Sequence, residues 1–251
     1  MWLFFKRDIL WFLQGNKWKI IGLGMLLILA ILINVVNAKN ASGTIADVFL
    51  SFLKQDNGAE NPLTSSLNWI IIQSLPVFLF GSYFYKELFA LEEFITIRFN
   101  NRMLPFLSKI LLIITLMLIY YFVIIGIGLV VFISFLFGIR FDVQPTLLFI
   151  DLNMPLYEMG LHFFVGGLAL IMLQLLLSII IKPFYAITVV LIIIVTNCFI
   201  TNFWIIGSVS NVAGFAEANN WLLLSIQLVY IILVMLIGGN IYRKTDLYKL
   251  N

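Results

Sequence analysis

The chain is poor in the residues that do chemistry. It has one cysteine and one histidine in 251 residues, and only 11% of its side chains are charged. A lone cysteine forms no intrachain disulfide, and Cys198 lies within an apolar run where packing accounts for it. One histidine cannot build a zinc site of the H-E-x-x-H kind, so His162 reads as a residue near a membrane interface. No G-x-x-x-x-G-K-[ST] loop is present, so the chain has no backbone cradle for nucleotide phosphates and is not itself an ATPase. No enzyme chemistry is expected of it, and no resident metal or cofactor. A soluble domain is excluded as well. With 63% apolar residues and a mean hydropathy of +1.09, there is too little polar surface to cover a core.

What is abundant is long apolar sequence. A helix needs about 20 apolar residues to cross the hydrocarbon, and the runs at 20–38, 67–85, 105–139, 159–181, 184–202 and 221–241 predict six spans. The expected fold is all-α, a polytopic membrane protein forming one transmembrane domain. The first run ends in Val36-x-Ala38 but is longer than a cleaved leader's apolar core, so it is expected to remain as a span. The third exceeds a normal crossing and predicts tilt with projection. Pro76 should kink the second. The link at Lys182-Pro183 is so short that the fourth and fifth spans should form an antiparallel hairpin.

Between the runs lie polar pieces. Residues 1–19 place Lys6, Arg7, Gln14 and Lys17 on one side of a helix and Phe4, Phe5, Ile9, Trp11 and Phe12 on the other, with Asp8 on the wrong face. They predict an interfacial helix along the inner leaflet, in contact with lipid. Within 39–66, Ile45, Val48, Phe49, Phe52 and Leu53 keep helical spacing behind a Thr44/Asp47 capping pair, which predicts a short surface helix. Residues 140–158 read as an outer loop, and 203–220 as a re-entrant or surface-lying segment at the outer face. Of fifteen Lys and Arg, all but Lys39, Lys54 and Arg140 fall in the segments 1–19, 86–109, 182 and 243–249. The inside-positive bias therefore predicts both termini and the stretch 85–109 in the cytoplasm. The basic residues are spread along membrane ends, which gives no nucleic-acid footprint.

Inside the runs, the polar side chains are Asn34, Asn37, Gln73, Gln174, Asn197 and Gln227. Amides in hydrocarbon must bond to something. Either they join helices, or Asn34, Gln73, Gln174, Asn197 and Gln227 line a substrate path. No acid or base occupies the middle of a span, so the titratable relay of an ion-driven transporter is missing. Driving force is then expected from outside the chain.

The order of elements resembles the permease subunit of a type-2 ATP-binding-cassette (ABC) exporter. Locally, residues 90–110, with Arg98, Asn101, Arg102, Ser108 and Lys109, are similar to small permeases of bacteriocin and peptide-antibiotic export or immunity; Met103 and Leu104 depart from many of these. The resemblance implies a cytoplasmic coupling region at 86–104 that docks a separate ATP-binding subunit, with Glu87, Leu88, Leu91, Glu92, Glu93, Phe94, Ile95, Arg98 and Arg102 as contact residues. Leu88, Leu91, Phe94 and Ile95 supply an apolar ridge and the glutamates an orienting charge. The resemblance also implies a bacterial cell membrane, a second permease copy or paralogue as partner, ATP and Mg on the ATPase alone, and outward movement of an amphipathic or hydrophobic cargo, peptide first. The other reading is a non-transporting immunity or assembly factor that binds a peptide or lipid. Glu92-Glu93 with Arg98 also resembles the EExxxR motif of intramembrane proteases of prenylated proteins, but the spacing is one residue long and that family's histidines are absent.

Overall fold

The computed structural model describes residues 2–40, 66–86, 103–138, 156–200, 202, 204–208 and 220–244. Among these, every regular element is an α-helix. In chain order they are α1 (Trp2–Asn40), α2 (Leu67–Lys86), α3 (Met103–Gly138), α4 (Leu156–Ile180), α5 (Pro183–Phe199) and α6 (Asn220–Lys244). Four of them contain stretches long and apolar enough to cross a membrane: Leu67–Phe84, Met103–Ile124, Gly160–Ile180 and Trp221–Arg243. The fold is therefore all-helical and compatible with a multi-pass membrane protein. The short helix expected within 39–66, the loop at 140–158 apart from the start of α4, and the coupling residues 87–102 lie outside the described residues.

The expected interfacial helix and first span form one unbroken helix of 39 residues, about 58 Å long at 1.5 Å per residue. No proline interrupts it. Its buried face matches the predicted apolar side only in part, at Phe5, Ile9 and Phe12. Phe5, Asp8, Phe12 and Asn16 face the protein, whereas Trp11 is half-exposed and Lys6, Lys17 and Trp18 are exposed. The buried side follows α2 and α3, where Asp8 and Asn16 find polar partners, while the exposed aromatic and basic side chains suit a lipid headgroup zone.

α4 sits at the centre and packs on α2, α3, α5 and α6. Its apolar stretch is 72% buried, against 39% for that of α6, so α4 is largely sheltered while α6 turns Leu228, Ile232, Leu236 and other apolar side chains outward. α4 passes to α5 across Ile181 and Lys182, and Pro183 opens α5 where its missing N–H costs nothing. The hairpin predicted at this link is what forms. α5 ends at Phe199, three residues before the expected limit, because Ile200 goes extended (φ −122°, ψ 109°). Its 17 residues span about 26 Å, short of the roughly 30 Å hydrocarbon.

Side-chain contacts show which ends meet. Phe106 near the start of α3 lies 5.4 Å, ring to ring, from Tyr242 near the end of α6. Gly238 of α6 faces both Phe106 and Leu176 of α4. The starts of α1, α3 and α5 and the ends of α2, α4 and α6 thus gather at one end of the bundle. Of the twelve basic residues in the segments grouped by the charge pattern, the nine that are described belong to these helices and the α4–α5 link: Lys6, Arg7, Lys17, Lys19, Lys86, Lys109, Lys182, Arg243 and Lys244.

Candidate functional site

At that end, α1 joins the two helices between which residues 87–102 run. Asp8 is fully buried; Arg7 donates to its Oδ1 from Nε at 2.8 Å and also from Nη2, and Ser108 of α3 donates to its Oδ2 at 2.7 Å. Two turns along α1, the Asn16 amide donates to the Phe12 carbonyl at 3.1 Å while its Oδ1 accepts from Ser82 of α2 at 2.8 Å. Between them, the Phe12 ring packs on Phe80 (5.5 Å) and Tyr83 (5.4 Å) of α2. One α1 face therefore grips the last turns of α2 and the first turns of α3. Ser108 and Lys109, expected to face water with the rest of 85–109, are both fully buried. For Ser108 the reason is Asp8, whose carboxylate accepts from its hydroxyl.

The amides separate into those that bind backbone and one that sits apart. Gln174 donates to the Val77 carbonyl of α2 at 2.9 Å. Asn197 of α5 donates to the Ile206 carbonyl at 3.2 Å. Gln227 of α6 accepts from the Gly207 N–H at 3.0 Å and donates to the Ile205 carbonyl at 3.2 Å. Gln73 is buried in α2 and lies against Gly167 of α4, where a Cβ would come within 3.0 Å of its Oε1. Asn34 and Asn37 fall in the part of α1 where only the backbone is described. Gln174 and Asn197 thus each give one amide hydrogen bond, and Gln227 makes two, to backbone next to Pro76 or in the turn at 204–208.

The turn at 204–208 is held between α4, α5 and α6. Besides Asn197 and Gln227, the Tyr230 hydroxyl donates to the Trp204 carbonyl at 2.8 Å. Ile205 and Ser208 N–H groups close onto the Asn202 and Ile205 carbonyls, both at 3.1 Å. Gly207 has φ +81°, and a Cβ there would lie 2.6 Å from Leu170 Cγ, so both conformation and space require glycine. Gln227 and Tyr230 lie six and nine residues beyond Trp221, so the side chains that hold the turn come from about 9–14 Å along α6 and not from its first turn. Irregular backbone packed among apolar helices needs partners from the protein, and the Ile206, Ile205 and Trp204 carbonyls and the Gly207 N–H have them.

Asp8, Asn16, Ser82, Ser108, Tyr120 and Tyr230 are not among the expected site residues. Asp8 alone carried a signal, as an acid on the apolar side of a helix. His162 is buried, Cys198 is buried, and no group of three potential metal ligands occurs among the described residues. Comparison with protein families, curated proteins and solved structures finds no match to this chain.

Proposed function

We propose that the chain is the membrane-spanning subunit of an ABC exporter, moving an amphipathic or hydrophobic cargo, peptide first, with energy from a separate ATPase. In this reading all six helices belong to the transmembrane domain, the end that gathers the basic residues faces the bacterial cytoplasm, and two permease chains enclose the path. ATP and Mg act on the partner; this chain supplies docking, path and motion.

The observation that carries the reading is the grip of α1 on both borders of 87–102. Ser82 on Asn16 ties the helix before that stretch, and Ser108 on Asp8 ties the helix after it. A subunit pushing on Leu88, Leu91, Phe94 and Ile95 would then move α1, α2 and α3 together, which is what borrowing mechanical work requires.

Affinity purification of the tagged chain from its native cells tests this. Mass spectrometry is expected to find a polypeptide with a Walker phosphate loop. Replacing both Glu92 and Glu93 by Lys should cut its recovery by about tenfold or more, since like charge across an interface costs several kcal/mol. Recovery of no such polypeptide, or equal recovery with the double variant, overturns the proposal and favours a non-transporting binding protein.

A further inference from the structure

Proline inside a helix lacks the N–H that the carbonyl four residues earlier should accept. For Pro76 that carbonyl belongs to Ile72. The Tyr120 hydroxyl, from α3, donates to it at 2.8 Å. The acceptor orphaned by the proline is therefore answered by a neighbouring helix, as a membrane-spanning segment requires. On the other side of the proline, Val77 offers its carbonyl to Gln174 of α4 at 2.9 Å.

Both halves of α2 rest on α4, through Gln73 against Gly167 and Val77 with Gln174, and they differ in their other attachments. Before the proline, the Tyr120 bond reaches it from α3. After it, Ser82 holds Asn16 of α1, Phe80 and Tyr83 stack against Phe12, and Gly81 admits Ile187 of α5 so closely that a Cβ would run into that side chain. A helix interrupted by proline, resting on one common neighbour while its two arms hold on to different further helices, is a place where bending can be concentrated.

We infer that α2 is a two-piece helix hinged at Pro76 and latched by the Tyr120 hydroxyl, with its second piece moving as one body with the start of α1. The latch is a property of the fold and holds whether or not the chain is a permease. Its consequence is that bending of the piece of α2 leading into 87–102 is opposed by the Tyr120 bond to the Ile72 carbonyl.

A double-mutant cycle reads the latch directly. Tyr120→Phe, Pro76→Ala and the combined variant are compared with the wild type by thermal unfolding in one detergent. In the same four chains, spin labels at Leu67→Cys and Phe78→Cys, both half-exposed and on opposite sides of the proline, report the bend in a Cys198→Ala background. With Pro76 present, Tyr120→Phe is expected to lower Tm by about 2–4 °C and to broaden the label distance. In the Pro76→Ala background the Ile72 carbonyl regains its own helix N–H. The same Tyr120→Phe change then shifts Tm by less than half as much and leaves the distance narrow. Pro76→Ser restores the same N–H and replaces Pro76→Ala should that variant not fold. An equal Tm loss in both backgrounds, or a label distance that Tyr120→Phe leaves unchanged, overturns the hinge.

Discussion

A carboxylate stripped of water is expensive unless its oxygens are answered. Asp8 has no exposed surface, yet Arg7 takes one oxygen and Ser108 the other. Removing the hydroxyl leaves Oδ2 buried without its donor, so Ser108→Ala should cost about 1–3 kcal/mol. That loss reads as a fall of roughly 2–4 °C in Tm per kcal/mol for a chain of this size. Ser74→Ala is the matched control, because its hydroxyl only folds back on the Ile71 carbonyl of its own helix. A Ser108 variant as stable as the Ser74 variant would show that the contact carries no weight. Sequence pattern flagged Asp8 as misplaced and stopped there, since helical periodicity describes one helix and its partner is 100 residues away. The amides were legible as groups needing partners, but not as donors to particular carbonyls. Tyr120 and Tyr230 were not legible at all, because a tyrosine in an apolar run looks like any other aromatic until a freed carbonyl lies opposite its hydroxyl.

At the scale of elements, helix positions were readable to within a few residues from apolar run length alone. α2, α3, α4 and α6 start and stop close to the expected limits. What run length could not show was continuity. Charged residues at 1–19 suggested a separate surface helix, whereas Lys6 and Lys17 point out of a helix that never breaks. The early end of α5 was hidden for another reason: Ile200 is as apolar as the residues before it, and only Asn202, Gly207 and their partners turn the chain. Gln227 is central to that turn, and the lone cysteine makes it measurable. Cys198 is fully buried beside the turn's anchor Asn197. Gln227→Leu removes two hydrogen bonds from the turn. Local opening should then become about tenfold or more frequent, and maleimide labelling of Cys198 should quicken in proportion. Labelling as slow as in the wild type would mean that packing of Gly207 on Leu170 holds the turn without the amide.

For the whole molecule, the gathering of ends matters most. The charge pattern groups 1–19, 86–109, 182 and 243–249 on one face, and the contacts of Asp8, Ser82, Phe106, Gly238 and Tyr242 independently bring their helix ends together. In the proposed exporter, work enters at 87–102 and is shared by α1, α2 and α3. The most direct measurement places a photo-crosslinking amino acid at Leu91 in living cells, with Trp204 at the far side of the bundle as control. Irradiation should join position 91, and not 204, to a polypeptide carrying a Walker phosphate loop. Adducts at 91 only with lipid or with this chain itself would contradict the account.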